Sequence, residues 1–451
     1  MQGRAIAQGF IEFVNSSVTP FHAVSTSKAH LQSSGFQELH EHQSWSLNKG
    51  GKYFFSRNQS SIFVFIVGKD FSAETGGFRI IGTHTDSPCP KIAPASKVTS
   101  GQFIKLNVML YGGGLWNSWF DRDLTVAGRV VLNKGERIES RLIHIKRPIL
   151  VMPQLAIHLS SNRDAFEYNK ESHLKPILCS LLASNKSHPE NEHKHSEGLL
   201  HLISQELSCN VEDISDLDLC VVDTNPARLT GLYEEFISAG RIDNLASSFC
   251  ALQALSESDN EGKDIKFWAA YDNEEVGSVS IMGADSVVTS NTMNRILTCL
   301  CPEATGDFKD VVFRKSFALS ADMAHGLHPN YQEKHHPQHA PLMHKGVVLK
   351  MNANQRYATD FVGCSIIRSL AARHSIPLQE YIVKNDSPCG STIGTMLAAM
   401  TGVRVVDVGA AQFAMHSCRE MMGTDDAYYY YSFMKAFFDD PHALNDEASF
   451  N

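Results

Sequence analysis

The sequence predicts an α/β protein: a three-layer α/β/α domain interrupted by an inserted β-rich domain. From about residue 235 onward, strand-like apolar runs alternate with helical periodicity, which is typical of a mostly parallel sheet covered by helices. Between about 92 and 180, short β-branched and aromatic runs follow one another without a helical period. We therefore expect one domain formed by 1–90 plus 235–451 and a second formed by 91–234.

The individual elements follow from the same patterns. The first 40 residues predict two helices, the second beginning at Thr19-Pro20, which suit the N-cap and first helical positions. The runs 61–67 and 78–81 predict buried strands. Residues 184–198 contain no apolar side chain, so a mobile surface loop is expected there. Beyond the insert we predict helices at 244–257, 278–290, 359–374, 391–400 and 424–438, and strands at 266–271, 316–321, 379–383 and 403–408.

Composition excludes several classes of protein. Hydrophobic residues make up 43% and charged residues 20% of the 451 residues, as in soluble globular proteins. The formal net charge of −9 disfavours nucleic acid and anionic membranes as partners. No apolar run approaches the roughly 18 residues that span a membrane. Ten scattered cysteines without a CxxC pair fit a reduced, cytoplasmic setting.

Possible metal ligands follow five predicted strands, where α/β proteins concentrate function. His84 and Asp86 form an HxD motif in which the histidine can bind a metal while the aspartate holds its ring. Asp243 lies at the head of a helix, Asp322 directly follows a strand, and His416 follows another. Taken singly, each has an ordinary alternative: a turn for the HxD motif, an N-cap for Asp243 and a core histidine for His416.

The run DNEEVG at 272–277 is harder to explain structurally. Adjacent carboxylates at the end of a buried strand repel each other unless a cation or a proton compensates. A Glu-Glu pair also suits a division of roles, in which Glu275 binds metal and Glu274 activates water. Together with the two histidines and two aspartates, the pair provides the ligand count of a two-metal hydrolase site.

These residues lie in segments that resemble the aspartyl aminopeptidases, a family of di-zinc metallopeptidases, over nearly the whole chain. The chain lacks two loop prolines that the family usually has, with Val347 and Thr395 at those positions. The matching segments are GTHTDSPC (82–89), YGGGLWNSWFDRDL (111–124), LAIHL (155–159), RIDNL (241–245), DNEEVGS (272–278), SADMAHGLHPNY (320–331), KMNANQRYAT (350–359), PCGSTIG (388–394) and MHSCRE (415–420).

The resemblance implies a ligand set. His84 and Asp322 would bind one zinc ion, Glu275 and His416 the other, and Asp243 would bridge the two. Mixed nitrogen and oxygen donors suit Zn²⁺, and Mn²⁺ or Co²⁺ are possible substitutes. The three-layer domain would then be the catalytic domain.

The resemblance also implies a substrate class, peptides with N-terminal Asp or Glu. Glu274 would be the general base that takes a proton from water and returns it to the leaving amine. A protein of charge −9 needs local positive charge to bind such peptides. Lys350 and Tyr357 occupy family positions that contact the acidic side chain, with His325 nearby, and Asp86 is grouped with them on the substrate side. The alternative for Lys350 is a surface lysine, although its strand is otherwise apolar.

Members of this family assemble as tetrahedral dodecamers built from dimers, with the inserted domain mediating dimer formation. The family histidine matching His158 reaches the active site of the neighbouring subunit; the alternative is a buried core histidine. Two other functions stay open. A neutral aminopeptidase or amide deacylase could use the same site, and Lys350 argues against it. A catalytically silent scaffold or cargo protein could share the fold, but every proposed ligand and the base are present.

Overall fold

The structure is a computed structural model that describes residues 2–135 and 137–442. The chain divides into two compact units. The first comprises the chain up to Asp86, Ala227–Met415 and the chain from Glu420 onward. The second comprises Ser87–Pro226 and His416–Arg419, so it is inserted into the first.

The described residues contain ten α-helices. They are α1 (Gln2–Ser16), α2 (Pro20–Ser33), α3 (Leu181–Ser187), α4 (Glu197–Leu207), α5 (Ile242–Ser256), α6 (Val288–Leu300), α7 (Phe308–Arg314), α8 (Phe361–Arg373), α9 (Ile393–Thr401) and α10 (Thr424–Asp439). Within residues 2–135 and 137–442, none of these helices has the length and apolar character that crossing a membrane requires.

The same residues contain twenty β-strands in three sheets. They are β1 (Gln37–Glu38), β2 (Lys52–Arg57), β3 (Ser61–Val67), β4 (Phe78–His84), β5 (Cys89–Ser100), β6 (Phe103–Tyr111), β7 (Leu124–Asn133), β8 (Ile138–His144), β9 (Ile177–Ser180), β10 (Ile214–Asp223), β11 (Arg228–Thr230), β12 (Phe236–Ala239), β13 (Ile265–Tyr271), β14 (Phe317–Ala321), β15 (Ala324–His325), β16 (Val347–Lys350), β17 (Leu378–Tyr381), β18 (Arg404–Gly409), β19 (Ala411–Phe413) and β20 (Glu420–Gly423).

The first unit is built on a nine-stranded sheet of order β1-β2-β3-β13-β4-β14-β18-β16-β17. Its centre is parallel, because β13, β4, β14 and β18 run in the same direction. Alternate strand residues face opposite layers: Trp268 belongs to the apolar cluster that contains residues of α1, α2, α5, α8 and α10, whereas Phe267 belongs to the cluster that contains residues of α6, α7 and α9. The three-layer α/β/α prediction is therefore confirmed, and the carboxyl ends of four parallel strands meet at one edge.

A smaller sheet of order β11-β12-β20-β19-β15 completes the first unit. The second unit contains an antiparallel six-stranded sheet of order β8-β7-β10-β5-β6-β9. Leu199 and Ile203 of α4 share an apolar cluster with Leu219 and Val221 of β10, so the helix contributes to the core of this sheet. The β-rich character of the insert is as predicted, and its role in dimer formation stays a prediction.

The predicted helix at 278–290 is wrong. Helix α6 begins only at Val288, and most of 278–287 forms a loop. Ser278 has a left-handed φ of 63°, and a Cβ on Gly283 would lie 2.0 Å from the Ser278 carbonyl oxygen. The loop thus folds back on itself at a point only glycine allows. Val279 and Ile281 in this loop are exposed rather than aligned on a buried helix face.

The prediction of a loop across 184–198 is wrong at both ends. Helix α3 extends to Ser187 and α4 begins at Glu197. Between them, the Glu190 carboxylate accepts hydrogen bonds from the Ser184 hydroxyl at 3.1 Å and the Ser196 hydroxyl at 2.8 Å. Hydrogen bonds between polar side chains therefore replace the apolar burial that the sequence lacks. All ten cysteines lie among the described residues, and none of them forms a disulfide.

Candidate active site

The candidate site is centred on His84, the last residue of β4, which is buried in the middle of the large sheet. Three carboxylates surround its Nε2 atom. Asp243 Oδ1 lies at 3.3 Å, Asp322 Oδ1 at 3.5 Å and Glu274 Oε2 at 3.9 Å. Residues far apart in the sequence thus converge on one imidazole nitrogen.

Sheet topology explains this convergence. Strand β13 is parallel to β4, and its last residue, Tyr271, pairs with His84. The chain then turns through Asn273, which has a left-handed φ of 66°, into a short 3₁₀ turn that contains Glu274 and Glu275. On the other side of β4, Asp322 directly follows β14, and its backbone N–H donates to the Val408 carbonyl at 2.9 Å. Because β13 and β14 are both parallel to β4, the residues that follow them lie at the same edge of the sheet as His84.

Asp243 reaches the cluster from the head of α5. The torsions of Asp243 and Asn244 are not helical, and the peptide bond between them is cis. The Asp243 N–H donates to Glu420 Oε2 at 3.1 Å, and the Asn244 side-chain amide donates to the Ala321 carbonyl at 2.8 Å. These bonds fix the segment between β20 and the end of β14.

Asp86 contacts both the second ring nitrogen of His84 and the turn that contains Glu274 and Glu275. His84 Nδ1 lies 3.0 Å from the Asp86 carbonyl oxygen, so this nitrogen is the donor and Nε2 is left to face the carboxylates. The Asp86 carboxylate accepts the backbone N–H groups of Glu274 at 3.2 Å and of Glu275 at 3.1 Å. One buried residue therefore orients an imidazole and both glutamates.

The charges in the cluster perturb each other. Burial lowers the pKa of His84, but the carboxylates of Asp243, Asp322 and Asp86 outweigh burial and hold it well above its ordinary value. Burial raises the pKa of Glu274 to about 8; His84 opposes this rise, and Asp322 adds to it. Carboxylates this close together need compensating positive charge, which His84, bound protons or a metal ion can supply.

The donors fit zinc ions. Two overlapping sets have ligand atoms within 4.8 Å of one another: His84, Asp243 and Glu275, and His84, Glu274 and Asp322. Around tetrahedral zinc with bonds of about 2.0–2.1 Å, neighbouring ligand atoms are about 3.3–3.4 Å apart. The separations of 3.3 and 3.5 Å at His84 are close to this value. Among the described residues, no other group of His, Cys, Asp and Glu has such spacing.

His416 lies in the second unit. Its Nδ1 is 3.0 Å from the Gly113 carbonyl oxygen, and its backbone has a left-handed φ of 66°. A histidine that donates from Nδ1 to a carbonyl presents Nε2 for metal binding. Its assignment as a zinc ligand stays a prediction.

Lys350 is buried at the end of β16, with 2% exposure, so the alternative of a surface lysine is wrong. Its ammonium donates to the carbonyls of Met323 at 3.0 Å and Asp322 at 3.3 Å, and lies 3.4 Å from Asp322 Oδ2. It also lies 5.0 Å from the centroid of the Tyr357 ring. The lysine therefore supports Asp322 and places positive charge next to the Tyr357 ring.

A cleft of about 310 Å³ opens in front of Tyr357. Burial, and then Tyr381, raise the pKa of Tyr357 far above the physiological range, so its phenol is a permanent hydrogen-bond donor. His325 is exposed at the cleft, with its ring edge-on to Tyr381. The lining consists of His325, Gly326, His328, Lys334, His335, Tyr357, Tyr381, Val383, Ser387, Pro388, Cys389, Gly390, Gln412, Phe413, Ala414 and Met415.

His158 lies in a short 3₁₀ turn of the second unit and is exposed, so the alternative of a buried core histidine is wrong. Its apolar neighbours are exposed as well, Leu155 by 65% and Leu159 by 72%. Apolar side chains exposed together in this way are typical of a surface that another protein covers. The role of His158 in a neighbouring site stays a prediction.

Two supporting residues were missed from the sequence. Glu420 is buried and holds the backbone of Asp243. Asp407 is fully buried within β18, accepts the Ala358 N–H at 2.6 Å and bonds to the Thr392 hydroxyl. For Asp407, a carboxylate inside an apolar strand was the available signal, because such a group needs partners. Glu420 begins β20 directly after Arg419, so it gave no such signal.

The fold and the site define a metallohydrolase of the α/β/α class. The model of the aminopeptidase I zinc metalloprotease family, M18, matches residues 13–438. An aspartyl aminopeptidase of Dictyostelium discoideum is 44% identical, covering 93% of each chain.

Two solved structures are similar over almost the whole chain. One, from a cryo-electron-microscopy structure of an Ape4–Nbr1 complex, is 38% identical with a TM-score of 0.95, covering 100% of this chain and 88% of the other. The other is the mApe1 dodecamer of Saccharomyces cerevisiae. It is 29% identical with a TM-score of 0.86, and the match covers 99% of this chain and 98% of the mApe1 chain. The protein belongs to the M18 family of zinc-dependent aminopeptidases.

Proposed function

We propose that this aminopeptidase removes N-terminal Asp or Glu from peptides with the help of two zinc ions. The observation that carries the proposal is the buried His84 imidazole with three carboxylates within 3.9 Å of its Nε2 atom. The acidic preference is supported by the Dictyostelium relative, which is named an aspartyl aminopeptidase.

The zinc ligands that we propose are His84 and Asp322 for one ion, Glu275 and His416 for the other, and Asp243 as the bridge. Support comes from the separations of 3.3 and 3.5 Å between His84 and the two aspartates, and from Glu275 in the donor set with His84 and Asp243. Bound zinc supplies a Lewis acid that polarises a carbonyl and makes water more acidic. Mn²⁺ or Co²⁺ could replace it.

Glu274 is the proposed general base. Support comes from its position: Glu274 Oε2 lies 3.9 Å from His84 Nε2, beside the proposed ligands, and Glu274 is not needed to complete the proposed ligand set. Glu274 would take a proton from the attacking water at Oε2 and return it to the leaving amine. Asp86 fixes the backbone of this turn, so the carboxylate is held in place before the substrate arrives.

The acidic side chain of the first residue would bind in the cleft beside Tyr357. The Tyr357 phenol and the His325 ring line the cleft as possible donors, and the Lys350 ammonium, 5.0 Å from the centroid of the Tyr357 ring, would add positive charge in a protein of net charge −9. A cation that is largely shielded from solvent attracts a nearby carboxylate more strongly than a cation in open water does, because the effective dielectric constant is lower.

The active protein would be a homo-oligomer, a dodecamer built from dimers. The structural relative from yeast is a dodecamer. The exposed apolar segment around His158 is a suitable surface for a second copy, whose site His158 would complete by donating a hydrogen bond to developing oxygen charge. The inserted domain, 91–234, would form the dimer contact, and a cytoplasmic location stays a prediction.

Release of the first residue from a peptide panel tests the function. The peptides are Asp-Ala-Ala, Glu-Ala-Ala, Asn-Ala-Ala and Leu-Ala-Ala, each with and without a chelator. We expect much faster release from the Asp and Glu peptides than from the Asn and Leu peptides, loss of release with the chelator and recovery with added zinc. Equal rates for Asp and its neutral isostere Asn would instead support a neutral aminopeptidase. No release by zinc-loaded protein would support a scaffold relative.

A further inference from the structure

The cleft beside Tyr357 extends to a second group of basic residues. His328, Lys334 and His335 line it together with His325, and its lining among the described residues includes no Asp or Glu. The protein as a whole has nine more acidic than basic side chains, 49 against 40. A cleft lined with basic groups and no acid is therefore a local exception that favours an anion.

Hydrogen bonds fix the donor atoms of two of these histidines. His335 Nε2 accepts the backbone N–H of His328 at 3.1 Å, so the neutral ring has its proton on Nδ1. His328 Nδ1 accepts the N–H of Asn330 at 3.2 Å, so its proton lies on Nε2. Burial, followed by the effect of His328, lowers the pKa of His335, while Glu333 opposes this shift, so the neutral ring is favoured. Each ring therefore offers one N–H donor, and Lys334 adds a full charge.

The cleft is larger than one acidic side chain requires. A volume of about 310 Å³ is roughly ten times the share of one water molecule, about 30 Å³. An Asp or Glu side chain has only four or five non-hydrogen atoms, so a second one fits beside the first.

Peptide geometry indicates where a second carboxylate would come from. In an extended chain, successive side chains point to opposite faces, and the first and third residues share a face about 6.4–6.8 Å apart. A peptide whose first side chain lies beside Tyr357 therefore presents its third side chain on the same face, at a distance within the reach of a cleft of this size.

We propose that His328, Lys334 and His335 form a second subsite, which binds a substrate carboxylate downstream of the N-terminal residue. The side chain of the third residue is its main source. The inference rests on the proposed function and deepens it: the preferred substrates are peptides with two acidic residues.

Amidated tetrapeptides show which substrate carboxylate binds the proposed subsite. The pair Asp-Ala-Asp-Ala-NH₂ and Asp-Ala-Asn-Ala-NH₂ tests the third residue, and Asp-Asp-Ala-Ala-NH₂ with Asp-Asn-Ala-Ala-NH₂ tests the second. Asp-Ala-Ala with a free or amidated C-terminus tests the terminal carboxylate. We expect kcat/KM to be about fivefold higher for Asp than for Asn at position three, the effect of a partly exposed ion pair with added donors.

Substitutions of Lys334 test whether the proposed subsite binds the downstream carboxylate. Lys334→Gln should reduce the Asp/Asn ratio towards one, and Lys334→Glu should invert it, which a merely structural role would not do. Lys309→Gln, which removes a half-buried lysine outside the cleft lining that donates to the Thr298 hydroxyl at 2.9 Å, should leave the ratio unchanged. Whichever peptide pair shows a preference that Lys334→Gln removes identifies the carboxylate. A ratio near one in every pair, while the first Asp is still released, overturns the subsite and leaves the proposed function intact.

Discussion

Replacing Asp86 with Asn tests whether this residue positions the catalytic turn. The Asp86 carboxylate is 1% exposed and accepts two backbone N–H groups, those of Glu274 and Glu275. Asparagine keeps one acceptor oxygen and turns an NH₂ group towards the other donor. One hydrogen bond to a charged group is then lost, at about 1.5–3 kcal/mol of unfolding free energy.

The same substitution should also slow catalysis, because a displacement of about 1 Å at a reacting group can cost about 10²-fold in rate. We expect kcat on an N-terminal Asp peptide to fall by about 10- to 100-fold. Steady-state kinetics measures this loss, and urea unfolding measures the loss of stability in the same preparation.

Asp426→Asn is a matched control. The buried Asp426 carboxylate likewise accepts two backbone N–H groups, from His344 at 2.6 Å and Gly346 at 3.0 Å, in a loop that contributes no proposed ligand. We expect a similar loss of stability with kcat close to that of the unmodified protein. If both variants lower kcat equally, or if Asp86→Asn turns over normally, Asp86 is a structural residue only.

Three further substitutions test individual roles. Glu274→Gln should lower kcat by about 10² to 10⁴ while zinc measured by elemental analysis is retained, and near-normal turnover would remove Glu274 as the base. Lys350→Ala should reduce kcat/KM for Asp peptides by roughly 2–5 kcal/mol of transition-state binding and far less for Leu peptides; equal losses would leave the lysine as a support for Asp322. Mixing inactive His158→Phe and Glu274→Gln subunits should restore activity if neighbouring subunits share a site, whereas mixed oligomers confirmed by mass that stay inactive would contradict it.

Most residues of the candidate cluster could be predicted from sequence because they end or follow an apolar strand, whereas Asp243 lies at the head of a helix. His84 ends β4, Glu274 and Glu275 come after β13, and Asp322 comes after β14. The strand order could not be predicted, since nothing local shows that β4 lies between β13 and β14. That order is what makes His84 the centre of the cluster.

Contacts between residues far apart in the chain could not be predicted from the sequence. Asp86 binds the N–H groups of a turn almost 190 positions away, and no periodicity records such a bond. The apolar strand around Lys350 indicated burial, but its bonds to Asp322 and Met323 depend on β16 and β14 being in one sheet. The wrong helix at 278–290 has a local cause, because its apolar spacing competes with the backbone turn at Gly283, which permits no Cβ.

Zinc stoichiometry in His84→Ala tests the central claim most directly, because His84 belongs to both donor sets. We predict about two zinc ions per chain and release of N-terminal Asp for the unmodified protein. His84→Ala should lose at least one zinc ion and its activity, while circular dichroism shows an intact fold. A folded His84→Ala protein that retains both zinc ions and releases Asp at the normal rate would contradict a zinc centre built around this histidine.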